Sequence, residues 1–218
     1  MAKRFALSHI LAIFAPSYTR AQGAYPHLFI NITKLLSKMP IEQYTEHPLH
    51  LFGYCPRCGS NKFGINDFKS KKCGDCGFVF YFNPIAATVA VIVNEKNELL
   101  VAKRAKEPAK GTLDLPGGFT DSFETAEEGV AREVAEETGL VVKETHYLFS
   151  LPNKYTYSGF EEHTMDLFFL CKADCGALTP ADDVEELRWI PIKEIVPEEF
   201  GLQSIRKGIE RLKSCLKF

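Results

Sequence analysis

Six glutamates, Glu124, Glu127, Glu128, Glu133, Glu136 and Glu137, fall within fourteen consecutive positions of a 218-residue chain whose formal net charge is only -2. No other stretch narrows the possible structures as much. Thr125 followed by Glu128 has the spacing of a capping box, and Gly139 is the residue type that ends a helix, so a helix is expected from about Ala126 to Thr138. Helical spacing sets Glu133, Glu136 and Glu137 at i, i+3 and i+4, where their carboxylates converge on one face. Ala126, Val130 and Val134 form the opposing stripe that faces a core.

Most runs of charge on helices are solvated faces interleaved with opposite charges four residues on. Here Arg132 is the one basic residue between Glu124 and Leu140, which leaves the cluster mostly unpaired. Like charges that close destabilise a helix by a few tenths of a kcal/mol per pair unless a cation joins them. Mg²⁺ suits such a cluster, because it is a hard cation that takes carboxylate oxygens and bridges to substrate phosphates. Just upstream, Leu115–Gly118 (LPGG) is a turn where glycine lets backbone come close and a carbonyl can add a ligand.

Seven cysteines are present and four are patterned: Cys55 and Cys58, then Cys73 and Cys76, each pair separated by two residues. Two such turns supply the four thiolates of tetrahedral zinc, and a filled sphere of four protein ligands makes the ion structural. Gly59 and Gly77, directly after each pair, relieve the turn towards the metal. Two disulfides or redox dithiols are the alternative, which needs an oxidising compartment or a thioredoxin-like βαβ context that the sequence does not show. The motif resembles a zinc ribbon over residues 50–82. Cys171, in the run LFFLC, is expected to be a buried small hydrophobe and Cys215 to lie on a C-terminal helix, neither with a catalytic role; Cys175 is unpatterned. Arg57, Lys62, Lys69, Lys71 and Lys72 are read as a solvated loop of the ribbon.

From Ile85 the pattern is α/β. AATVAVIVN, the turn EKNE and LLVAKR read as a hairpin; further strands are expected at VVKETHYLFS, TMDLFFLCK and ELRWIPI. Ile205, Ile209, Leu212 and Leu216 recur at helical spacing in a last helix from about Gln203. Together these give a mixed sheet flanked by helices over residues 83–218. Residues 1–40 stand apart: residues 1–41 hold five basic side chains and no acid, and Met39 precedes the first patterned segment, so this N-terminal extension is read as a mis-assigned start or a weak targeting segment. No run reaches the roughly 18 apolar residues of a membrane helix, and the mild net charge recruits neither nucleic acid nor an anionic membrane by itself. A cytoplasmic location is expected.

The 23 residues from Gly118 resemble the signature of the Nudix hydrolases at every constrained position: Gly118, Glu124, Arg132, Glu133, Val134, Glu136, Glu137, Gly139 and Leu140. The resemblance implies an α/β/α sandwich with the signature as loop, helix and loop. It also implies that Glu133, Glu136 and Glu137, with the Gly117 carbonyl, hold Mg²⁺ or Mn²⁺ against a diphosphate, while Glu124 and Arg132 pair to brace the helix. The implied reaction is metal-assisted hydrolysis of a nucleoside diphosphate linked to another moiety, with Glu161, Glu162, Asp166, Glu185, Glu186 or a helix glutamate as general base. Ribbon and signature together resemble the NADH pyrophosphatases, but their downstream motif SQPWPFPxS is absent, so NADH, NAD⁺ and ADP-ribose all stay open as substrates. Tyr155, Tyr157 and Phe160 are candidates for stacking on a base. A homodimer follows from the same resemblance. Two other classes stay open, a Nudix-like diphosphate isomerase that pairs metal with a catalytic cysteine, and a nucleotide-sensing regulatory module.

Overall fold

A computed structural model describes residues 46–174 and 176–215. The extension through residue 40, Cys175 and Leu216 lie outside the described residues. The described chain falls into two compact units that part between Asn83 and Pro84. Among the described residues no helix is long and apolar enough to cross a membrane.

The first unit is a three-stranded antiparallel sheet in the order β1 (Phe63–Asp67), β2 (Ser70–Cys73) and β3 (Val79–Tyr81). Its small core is Cys55, Phe63 and Cys73, with Cys76 and Phe78 packed against it. The reading of its lysines as one solvated loop is corrected. Lys71 is buried on β2, where its ammonium lies 5.3 Å from the Phe63 ring centroid and donates to the Phe52 carbonyl, because a long apolar stem can cover a small core while the charge finds an acceptor.

The second unit runs β4 (Ile85–Ile92), β5 (Glu98–Arg104), β6 (Leu113–Asp114), α1 (Ala126–Thr138), β7 (Val142–Tyr157), β8 (Phe160–Ala173), β9 (Val184–Pro191) and α2 (Gln203–Cys215). One sheet is mixed, in the order β4-β8-β7 with β4 parallel to β8; the other is antiparallel, in the order β6-β5-β9. The expected β4–β5 hairpin does not form. Asn94 does reverse the chain, its Oδ1 accepting from the Lys96 and Glu98 backbone N–H groups, but beyond one bridge at Val93 and Leu99 the strands diverge. β4 is buried at its last six positions and pairs with β8 instead, as a continuous apolar run suits a strand covered on both faces.

Alternation along the strands builds two cores. Val89, Val91, Val101, Phe168 and Leu170 pack with Ile205, Ile209 and Leu212 of α2. The residues between them, Ala90, Ile92, Leu100, Phe169 and Cys171, pack with Val130 and Val134 of α1. The result is the α/β/α sandwich. Val130 and Val134 are fully buried, which stabilises by about 1.5–3 kcal/mol each. Burial also pushes the Cys171 thiol up to about 12, so it remains a protonated, inert core residue.

β7 and β8 are longer than the sequence suggests and close through Ser158 and Gly159, both with positive φ, in a tight two-residue turn. Glu161 and Glu162 therefore sit on the strand that also carries Asp166, a strand that begins four residues ahead of the expected TMDLFFLCK. Alternation sends Glu162 and Asp166 to one face and Glu161 to the other.

Candidate active site

α1 is set by its ends. Thr125 accepts from the Glu128 N–H at 3.2 Å and Glu128 accepts from the Thr125 N–H at 2.8 Å, a reciprocal cap worth about 1 kcal/mol. Gly139, at φ 73, donates to the Ala135 carbonyl and closes the helix.

The loop ahead of α1 is pinned to the free edge of β4. Pro116 and Gly118 carbonyls accept from Ala90 and Thr88 at 2.7 and 2.8 Å, and Thr120 donates to Ala86. Gly117 has φ 149, and a Cβ there would lie 2.1 Å from the Thr88 oxygen, so only glycine fits. A Cβ on Gly118 would meet the Glu133 carboxylate at 2.6 Å. The two glycines thus let backbone reach the acids of α1, and the Gly117 N–H donates to Glu137 Oε2 at 2.9 Å.

Arg132 corrects the expectation of an unpaired cluster. Its guanidinium grips Glu124 through Nε and Nη2 at 3.1 and 2.7 Å, donates to the Phe119 carbonyl at 3.0 Å, and reaches Glu133 and Glu136 through Nη1 at 2.9 Å each. A planar fork can serve several carboxylates where an ammonium could not. Held this way, Glu133, Glu136 and Glu137 do not close on a single point; among the described residues only the four ribbon cysteines do so.

Glu137 is different. It is 8% exposed, and burial lifts its carboxyl to about 8 against the Gly117 N–H, with Asp114, Glu133 and Asp183 adding repulsion. Burial also raises Glu133, whose neighbours include Glu136 and Asp182. Both acids open onto a cleft of about 570 Å³ that is also lined by Gly117, Glu162, Asp166, Asp182 and Asp183. Glu136, with half its side chain exposed, does not line it. This excess of hard oxygen donors, with one carboxylate buried and uncompensated, fits a divalent cation.

The remaining candidates separate clearly. Asp166 is buried, and both oxygens are engaged, by Thr164 and Ser204 at 2.5 Å each. Glu161 bonds Lys154 and His163, Glu185 bonds Lys103, and Glu186 pairs with Arg188, so these three lie outside the cleft. Tyr157 lines the cleft and Phe160 does not; the Tyr155 side chain lies outside the described ones. Asp114, Asp182, Asp183 and Arg104 line it without having been foreseen. Asp114 stands one residue before LPGG, a signal that was available. Asp182 and Asp183 arrive because residues 177–183 run past the end of α1, Thr179 and Ala181 donating to its Thr138 and Glu137 carbonyls. No local pattern marks that.

In the ribbon, Sγ atoms of Cys55 and Cys76, and of Cys58 and Cys73, are 3.7 Å apart, and all four lie within 4.8 Å of one another. Ligands about 2.3 Å from a tetrahedral zinc stand ~3.8 Å apart, so the thiols fit the ion, whereas a disulfide needs ~2.05 Å. Gly59 and Gly77, at φ 72 and 71, donate to the Cys55 and Cys73 carbonyls and turn each knuckle.

Residues 83–212 match the NUDIX domain. The chain belongs to the Nudix family. It is 32% identical over 152 residues to the NAD-capped RNA hydrolase NudC of Vibrio parahaemolyticus, covering 69% of this chain and 55% of that protein. It is 33% identical over 136 residues to the ADP-ribose pyrophosphatase of Methanocaldococcus jannaschii, covering 62% of this chain and 78% of that one. The chain thus spans about half the length of the Vibrio relative. Among solved structures, the MutT protein of Methanosarcina mazei Go1 superposes with a TM-score of 0.53 at 26% identity, covering 64% of this chain and 99% of that one. The MutT NUDIX hydrolase of Burkholderia pseudomallei gives 0.51 at 25%, covering 59% and 97%.

Proposed function

We propose that the chain is a Mg²⁺- or Mn²⁺-dependent pyrophosphohydrolase that splits the diphosphate of a nucleoside diphosphate linked to another moiety, NAD(H) or ADP-ribose, and releases AMP or another nucleoside monophosphate. The observation that carries this is Glu137: a buried carboxylate without a basic partner among the described residues, tied to Gly117 and open to the cleft beside Glu133. Glu133, Glu136, Glu137 and the Gly117 carbonyl are the proposed metal ligands. The metal supplies charge neutralisation of the diphosphate and acidifies water.

The chain's own residues do the rest. Arg132 and Glu124 brace α1 against its loop, and Gly117 and Gly118 let backbone and carboxylates approach the phosphates. Water adds to one phosphorus, the bridging P–O bond breaks, and a cleft carboxylate takes the water's proton. Glu162 is the proposed base, because it lines the cleft while Asp166 is committed to Thr164 and Ser204. The four ribbon cysteines hold structural zinc. The relatives support both substrate readings, one being named for NAD-capped RNA and the other for ADP-ribose. An isomerase using a catalytic cysteine finds no support at Cys171, whose thiol is buried and protonated.

The test is chromatography of products after incubation with Mg²⁺ and NADH, NAD⁺, ADP-ribose, NAD-capped RNA and nucleoside triphosphates. AMP from NAD(H) or ADP-ribose supports the proposal. Absence of turnover with every compound refutes it.

A further inference from the structure

Asn153 lies on β7 in the wall of the cleft, is 6% exposed, and its Oδ1 is buried without a hydrogen-bond partner. Buried carbonyl oxygens left unmade are rare, and each calls for a reason. The cross-strand neighbour Thr164 gives its hydroxyl to Asp166 and so does not serve this oxygen.

The surroundings say what would meet it. Register places Ile85 opposite Thr164 and Ala87 opposite Asp166, so β4 contributes an apolar wall to the face that carries Asn153. Tyr157, two strand repeats along β7, continues that face and lines the cleft. An apolar wall, an aromatic ring and one acceptor suit a flat heteroaromatic group with an N–H edge. Resting on the pyrophosphohydrolase reading, we infer that Asn153 determines specificity: its Oδ1 accepts from a planar NH₂ group of the substrate, either the exocyclic amine of a purine or a carboxamide. A site built around such a bond rejects the analogue that lacks the donor, because its own polar atom is then left buried and unpaired.

The experiment compares NAD⁺ with nicotinamide hypoxanthine dinucleotide, which replaces the purine amine by oxygen, and with nicotinic acid adenine dinucleotide, which replaces the carboxamide by a carboxylate. ADP-ribose and its hypoxanthine counterpart form a parallel pair. The expected result is a preference of about tenfold or more in kcat/KM for the NH₂-bearing member of one pair, carried mainly by KM. Asn153→Leu abolishes that preference, and Asn153→Asp, which keeps an oxygen acceptor and guards against misfolding of the first variant, retains it. Loss against hypoxanthine identifies the purine amine as the donor; loss against nicotinic acid identifies the carboxamide.

Equal use of both members by the parent chain, or an unchanged preference in Asn153→Leu, overturns the inference while leaving the pyrophosphohydrolase standing. A preference for the oxo member that vanishes in Asn153→Leu also overturns it, since the amide would then face the cleft through nitrogen. No turnover of any compound by the parent chain overturns the function and this inference together.

Discussion

Glu137 Oε2 accepts the Gly117 backbone N–H at 2.9 Å across the strand-to-helix loop, so the last acid of the α1 cluster is fastened to the glycine that lets the loop lie on β4. One bond joins the geometry of the loop to the charge state of the cleft.

Glu137 sits above its ordinary 4.5, at about 8, so the folded chain holds this proton more tightly than the unfolded one. That contribution to stability is complete below about 4.5 and is lost as pH rises through about 8. Glu137→Gln keeps an acceptor for Gly117 and cannot ionise. Metal-free variant should melt about 3 °C or more above the parent at pH 8 and level with it near pH 4, by calorimetry. Turnover should fall roughly a hundredfold or more. A variant equally stable at both pH values would show that Glu137 carries no burial penalty.

Arg132→Lys removes the fork that holds Glu124 twice and reaches Glu133, Glu136 and the Phe119 carbonyl. With Arg132 27% and Glu124 15% exposed, the loss expected is about 2 kcal/mol, read by denaturant unfolding. Unchanged stability would make this a surface contact.

Gly117→Ala should destabilise by about 3 kcal/mol or shift the loop off β4, since a Cβ would collide with backbone at Thr88 and no side-chain motion relieves it. Gly118→Ala meets the Glu133 side chain first and should cost less in stability than in activity. Reversal of that order would mean that the loop is not pinned as described.

Glu162→Gln and Asp166→Asn separate the two cleft acids. Loss of the base should lower kcat by about a hundredfold in Glu162→Gln. Asp166→Asn, which disturbs the Thr164 and Ser204 bonds, should act mainly on thermal stability. The opposite assignment of effects would move the base to Asp166.

Metal analysis should find about one zinc per chain, and Cys73→Ser should abolish it together with amide-exchange protection of Phe63–Tyr81. Retention of zinc in that variant would exclude the four-thiol site.

What could be read from the sequence was local. The bounds of α1, its Thr125–Glu128 cap, its Gly139 stop and its buried valines depend on contacts within one or two turns, and the ribbon's knuckles depend on two-residue spacings. The pairing of β4 was not legible: its apolar run is compatible with either a hairpin to β5 or a parallel seat beside β8, and the choice lies in partners 79 residues away. Separation along the chain also hid Asp182 and Asp183, whose segment reaches the cleft by hydrogen-bonding to the end of α1. It also hid Asn153, an ordinary polar residue in a strand until burial removes water from its carbonyl. The sequence by itself thus determined which residues form the acid-bearing helix and the thiol cluster, since short-range sterics and hydrogen bonds suffice there. Only the tertiary structure decided which acids share the cleft, which are neutralised by Arg132, and which are buried strongly enough to change their chemistry, because burial and long-range charge are properties of the packed chain.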